Sequence, residues 1–412
     1  MNRRKAGYRC LLGLLVWTCA LAAGADWLSK RGDPQQTGWQ REEKFLTVRT
    51  VKGLRLLWKR KLNEGPNGLT DPLILGPLIT HRGIKELVFV KDSAETVYAV
   101  DADLGTIFWS RHLEEVTPKA SKLNAPCTEN SRITPVMALA AEKQGNPTAE
   151  EDDNFSDGSR PLYVLSAEGR LYALRSSTGG DFSPSLKFLP SDAKPVSLDI
   201  AEDVLYAATS SVCGGVPNRV WTLDLKIRSD PQSQPWQDNG QMLTVFKWKG
   251  RDLLAGLTSS NEPAFRNATG DHLTFQSTTP KSNRLGGLAT WQDDAGTRWI
   301  DTTSTAGVRA FQVTGPEDQP MAIRAWTSRN FTAAGPPVVA NGIVYFLSAT
   351  VRGDENHITL HALDALQGNE LYTSGDIITS RSSSKNIAIA NGHVCFSATE
   401  GMLYCFGLPF EM

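Results

Sequence analysis

The chain of 412 residues is 40% hydrophobic, carries a formal net charge of −1 and contains 35 glycines and 22 prolines. That is enough apolar side chain for a packed core in a chain that turns often. Its lysines and arginines read as spread along the sequence rather than gathered into a phosphate-neutralising stripe, so nucleic acid is not expected as a partner.

At the N-terminus, Arg3, Arg4, Lys5 and Arg9 precede the uncharged run CLLGLLVWTCALAAG, which is too short to span a bilayer comfortably. Ala23-Gly24-Ala25 supplies small residues at the minus-three and minus-one positions of a signal-peptidase site, so residues 1–25 read as a signal peptide and the mature chain as starting near Asp26. Trp17-Thr18 before Cys19 does not match the small-residue box of lipoprotein processing. Loss of the leader removes four basic residues and takes the net charge to about −5. No later segment reads as a membrane span. A periplasmic or secreted protein of a bacterium is expected.

From residue 26 onward, periodicity decides the fold. A short apolar strand recurs as LVFV at Leu87, LYVL at Leu162, LYAA at Leu205, LLAG at Leu253, WIDT at Trp299, VYFL at Val344 and VCFS at Val394, with steps of 75, 43, 48, 46, 45 and 50 residues. Repeats of ~40–50 residues with several short strands each are the mark of propeller blades. The long step holds an acidic, strand-poor insertion at 141–160 within the second blade. Its DNFSDG stretch (153–158) resembles the start of an EF-hand loop but puts Phe155 and Val164 at ligand positions.

A second signature follows most of these strands, fullest in VYAVDADLGTIFW (97–109) and LHALDALQGNELY (360–372). Alternation with period two makes each copy a two-faced strand, and the Asp-x-x-x-Gly spacing lets the chain reverse. Each unit reads as four antiparallel strands. The last ends at LYCFG (403–407), one strand short, and LRLLWKRKL (54–62) has the composition of the missing one. The expected fold is all-β, a seven-bladed propeller over 26–412 closed by an N-terminal strand, with eight blades as the alternative count.

Four cysteines remain after the leader. Pairings Cys127–Cys213 and Cys395–Cys405 are expected in an oxidising compartment, and no residue is assigned to a metal, since no CxxC occurs and the histidines lack ligand spacing. His357 and His361 sit on one alternating strand, roughly 13 Å apart, and read as surface or blade-interface side chains.

These units resemble the repeats of the pyrroloquinoline-quinone (PQQ) dehydrogenases, LYALDA-x-TG-x-x-x-W, and DWLSKRGDPQQTGWQ resembles their lead-in. The resemblance implies the propeller fold, and it extends to non-catalytic members such as the outer-membrane assembly propeller lipoprotein. Enzymes of the family clamp PQQ on the propeller axis against a disulfide of adjacent cysteines, with calcium and an Asp base. No adjacent cysteines occur here, and Asn218 in TSSVCGGVPNRVWTLDL (209–225) is the one residue that resembles a calcium ligand.

The expected function is therefore a non-catalytic binding scaffold with no cofactor. A PQQ- and calcium-dependent oxidoreductase is the alternative. Blade links and second-to-third-strand loops emerge on one face around an axial opening, the default ligand site. The longest of them offer Asn218, Arg219, Asn261, Glu262, Arg266, Arg352, Asp354 and Glu355 as binding candidates. The partner is expected to be another exported or envelope protein, or a small ligand at the opening.

Overall fold

A computed structural model describes residues 24–62, 68–113, 133–138, 160–191, 193–210, 218–227, 230–235, 243–258, 260–267, 287–304, 307–332, 334–352, 355–380, 386–398 and 400–409. The described strands form seven sheets, each one blade of a ring. Blade 1 runs through Leu73–Thr80, Gly83–Lys91, Thr96–Asp101 and Ile107–His112, every strand antiparallel to the one before. The inner strands of blades 2 to 7 are Val136–Met137, Pro195–Ala201, Thr244–Trp248, Leu288–Gln292, Val338–Ala340 and Ala388–Ala390. No described helix is long and apolar enough to cross a membrane.

The seven repeated apolar strands are the second strand of every blade, where both faces meet neighbours. In blade 6, Val344 and Phe346 pack with Trp291 and Trp299 of blade 5, whereas Tyr345 and Leu347 pack with Ala388 and Leu403 of blade 7. Side chains alternating across a strand thus serve two interfaces. That double burial is why these strands are almost wholly apolar.

Blade 7 closes as the missing strand required. Arg55–Lys61 pairs antiparallel with Met402–Gly407 as its outer strand. Cys395 and Cys405 lie directly opposite each other on the second and third strands, fully buried and joined by a disulfide. The Cys127–Cys213 pairing lies outside the described residues, as do the leader up to Ala23 and nearly all of the acidic insertion.

The axis differs from expectation, because the chain itself fills it. Trp27 exchanges main-chain hydrogen bonds with Ile74 of blade 1 at 2.8 and 3.0 Å, and Met137 of blade 2 donates to the Leu28 carbonyl at 2.9 Å. Gln36 Nε2 donates to the Asp199 carboxylate of blade 3. Val245, Thr290 and Val339, on blades 4, 5 and 6, donate to the carbonyls of Gln35, Thr37 and Gly38 at 3.0, 2.9 and 2.8 Å. Gln40 Nε2 donates to Ile389 O of blade 7 at 3.0 Å. One segment therefore hydrogen-bonds the inner strand of all seven blades. Arg31, 1% exposed, donates through Nη2 to Leu288 O and Pro337 O at 2.6 and 2.8 Å, and a side chain at Gly38 would collide with that guanidinium. Trp27 and Leu46 are 1% and 0% exposed, a burial that contributes on the order of 2 kcal/mol each, so the segment is core rather than a loose tail.

Two expected loops are strands. Pro263–Asn267 is the third strand of blade 4, with Arg266 opposite Leu254. Ile343–Arg352 and Glu355–Asp364 are paired strands whose register runs to Arg352 opposite Glu355. Asp354 lies outside the described residues.

Candidate functional site

The segment from Trp27 to Gln40 lines the axis, and the candidates around the expected opening are distributed over three blades. Asn218 precedes and Arg219 begins the third strand of blade 3, where Arg219 Nε and Nη2 donate to Ser233 Oγ and O at 2.9 and 3.1 Å. Asn261 and Glu262 turn into the third strand of blade 4, and Glu262 pairs with Arg324 of blade 5. Arg352 and Glu355 belong to blade 6. Glu262 and Arg266 share a cavity of about 570 Å³ between blades 4 and 5, beside the point where the chain leaves the described residues at Asn267.

A second cavity, of about 540 Å³, opens between blades 7 and 1 on the face away from the blade links. That face, called lower here, carries the turns joining first to second and third to fourth strands. Phe45, Pro77, Ile84, Leu408 and Pro409 form the apolar rim, and Lys85, Glu86, Asp103 and His393 form the floor. Ile84 and Phe45 are 72% and 58% exposed. Phe45 is held in place by buried Glu43, whose carboxylate accepts from the N–H groups of Phe45 and Leu46 at 2.7 and 3.0 Å and from Gly392 at 3.1 Å. A side chain at Gly392, whose φ is +85°, would press against Phe45, so glycine suits this turn on both counts.

The floor is an ion cluster shared by two blades. His393 Nε2 lies 3.2 Å from Asp103 Oδ1, and His393 Nδ1 lies 3.4 Å from Glu86 Oε1. The longer approach is an ion pair only, since neither Nδ1 nor Glu86 Oε1 gains a hydrogen-bond partner. Burial pulls the imidazole down, but Asp103 and Glu86 outweigh it and hold its pKa up at about 9. Burial raises Glu86, while the His393 hydrogen bond lowers Asp103. Beside them Lys85 Nζ meets Asp101 Oδ2 at 2.8 Å.

Chemically this floor is saturated. An imidazolium clamped between two carboxylates has no lone pair to offer as a base, and its proton is held too firmly for general acid work at neutral pH. The feature left for a ligand is apolar volume with one carboxylate, Asp103, still 39% exposed. Such a combination is suited to holding an apolar group beside a cation.

A serine–histidine–glutamate trio in blade 6 also has suggestive distances. His361 Nε2 lies 2.9 Å from Ser348 Oγ, and Nδ1 lies 2.8 Å from Glu370 Oε1. Ser348 and His361 are 5% and 3% exposed, however, with the ring packed on Phe331 and Phe346. The trio ties three strands of blade 6 together and leaves His361 buried rather than at the surface. Among the described residues no group of three His, Cys, Asp or Glu side chains is placed to hold a metal ion.

The described fold is a seven-bladed β-propeller with a lateral cleft between its closing blade and its first. No protein-family model matches the chain, and no curated protein matches it. Among solved structures it is similar to the quinohemoprotein alcohol dehydrogenase from Comamonas testosteroni, at 13% identity over 94% of this chain and 81% of that one, with a TM-score of 0.47. It is also similar to BamB from Moraxella catarrhalis, at 11% identity over 86% and 99%, TM-score 0.37. The computationally designed Ika8 protein stands at 10% over 84% and 98%, TM-score 0.44. These likenesses are of fold, and no residue role is carried over from them.

Proposed function

We propose that the protein is an exported, non-catalytic binding propeller whose lower cleft receives a short apolar segment of an envelope protein, with a basic group of that segment pairing with Asp103. The observation that carries this reading is the cleft itself: a preformed apolar rim over a floor whose charges already satisfy one another, leaving a single carboxylate half-open. Export is supported by the basic start, apolar run and small-residue site of residues 1–25.

Two observations speak against the quinone of the resembling enzymes. Its place on the axis is taken by Trp27 to Gln40, bonded to every inner strand, and the chain has no adjacent cysteines to clamp a planar ring. Asn218, the residue that resembles a calcium ligand, lies in the bend just before the third strand of blade 3.

A photo-crosslinking residue at Ile84, in protein exported to a native periplasm, tests the reading. One defined adduct that vanishes with Asp103→Lys is expected. An adduct insensitive to Asp103→Lys, or none, would remove the cleft from consideration. Calcium-dependent PQQ binding at micromolar affinity would instead restore the oxidoreductase.

A further inference from the structure

From Lys44 to Lys61 the chain leaves the axis, crosses the lower face and becomes the closing strand. This stretch contains Lys44, Arg49, Lys52, Arg55, Lys59, Arg60 and Lys61 and not one acidic residue. The expectation of evenly spread basic residues is therefore wrong here. Overall balance in the chain conceals a local concentration. Lys44, Arg49, Lys52 and Arg55 are all exposed, and none forms an ion pair with a described residue.

Phe45 and Val48 stand among these cations, 58% and 37% exposed, while Leu46 and Val51 are fully buried. The loop has a fixed shape. Thr50 Oγ1 donates to Phe45 O at 2.6 Å, Thr47 N–H donates to Thr50 Oγ1 at 2.8 Å, and Glu43 caps Phe45 and Leu46. A rigid loop thus holds two apolar side chains in water with positive charges around them. Ile84, Leu408 and Pro409 continue the apolar surface toward blade 1. Elsewhere on the same face charges are paired, Asp203 with Lys226 and Glu317 with Arg251, so the four cations of this loop stand out by having no such carboxylate among the described residues.

We propose that the basic corner of the lower face docks on an anionic lipid bilayer. Phe45 and Val48 enter the interface, and Lys44, Arg49, Lys52 and Arg55 lie over the headgroups. Each basic residue within a Debye length of an anionic surface strengthens binding roughly fivefold, and exposed apolar residues among basic ones suit the headgroup boundary. A soluble polyanion would use the same charges without needing Phe45 or Val48. The surface shares Phe45 with the rim of the cleft, whereas Lys44, Arg49 and Lys52 lie outside the cleft and belong to this surface alone.

Cosedimentation of the full mature chain with vesicles tests it. Binding is expected to phosphatidylcholine vesicles containing about one-third phosphatidylglycerol and not to phosphatidylcholine alone. The variant Lys44→Gln/Arg49→Gln/Lys52→Gln is expected to lose ~100-fold in affinity, and Phe45→Ser/Val48→Ser to lose binding at unchanged thermal stability. The charge variant should leave crosslinking through Ile84 intact, which separates this proposal from the cleft reading. Equal binding to neutral vesicles, or an unaffected charge variant, overturns it. So does binding to soluble heparin that matches vesicle binding and ignores Phe45→Ser/Val48→Ser.

Discussion

Trp58 donates its indole N–H to the carbonyl oxygen of Ala102 at 2.6 Å, across the seam between the closing blade and blade 1. Its ring covers Gly105, whose φ is +66° and where a Cβ would come within 2.6 Å of the indole. The same clasp joins Trp109 to Ser176 over Gly179 and Trp326 to Ala365 over Gly368, at 2.9 Å each. In every case an outer-strand tryptophan reaches the third-to-fourth-strand turn of the next blade. Gly105→Ala, Gly179→Ala and Gly368→Ala should each lower stability by about 1–3 kcal/mol, combining backbone strain with displacement of the indole. Urea unfolding checks this, and three neutral substitutions would show the clasps to be incidental.

Deleting Arg55–Lys61 should open the ring. The strand covers Leu56 and Trp58 against blade 7 and supplies the outer partner of Met402–Gly407. Without it an apolar strand edge is exposed, an invitation to intermolecular pairing. The truncated chain is expected to aggregate or lose its cooperative transition in a thermal melt. A melt like that of the intact protein would show that the ring closes by other means.

Asp301 gives a stability signature of opposite origin. It is fully buried on the second strand of blade 5, accepts from Trp291 Nε1 at 2.8 Å through Oδ2, and its Oδ1 has no partner. Burial pushes its pKa up to about 8, only partly opposed by Trp291. The folded state thus holds a proton that the unfolded state releases near pH 4, and stability falls as pH rises from about 4 to about 8. Asp301→Asn keeps the acceptor for Trp291 and removes the titration. The variant should match the parent near pH 4 and exceed it by a few kcal/mol at pH 8. A constant difference across that range would mean that Asp301 titrates normally.

The disulfide is expected to behave as a core element. Cys395 and Cys405 are 0% exposed, so a thiol reductant should reach them only through opening of blade 7. Mapping under non-reducing conditions should recover the Cys395–Cys405 peptide pair. Reduction should accelerate with denaturant in step with global unfolding, and rapid reduction of the native protein would contradict this placement.

Much of the ring was legible because burial on both faces forces a repeated apolar strand, and seven such strands fix seven blades. The third strand of blade 4 was missed because PAFRN lacks the repeat pattern. The axial segment was missed for a physical reason. Inner strands present main-chain N–H groups to the axis, so the segment that satisfies them must be polar and turn-rich, as SKRGDPQQTG is, and such a segment reads as a loop. The cleft could not be read from spacing, since Glu86 and Asp103 lie on blade 1 and His393 on blade 7. The one local trace was Lys85-Glu86 ahead of an otherwise apolar strand.

His393 allows the cleft floor to be tested without knowing any ligand. Its folded pKa of about 9 exceeds the 6.5 of a free imidazole, so the stability contributed by its charge is complete below pH 6.5 and is lost as pH rises through 9. Asp103 is shifted the other way, lowered by the His393 hydrogen bond, and its contribution is lost as the medium becomes acidic. The junction between blades 7 and 1 should therefore be tightest in mildly acidic solution. His393→Gln removes the cation and leaves Glu86, already raised by burial, to take up a proton. Breaking a buried pair can cost roughly 3–5 kcal/mol, but Asp103 is 39% exposed, which reduces the expected loss to about 1–2 kcal/mol at pH 6. Between pH 6.5 and 9.5 the parent's melting temperature should fall toward that of the variant, so the gap closes with rising pH. Parallel curves over that range would show that His393 is neutral in the folded protein and that the floor is hydrogen-bonded rather than ionic.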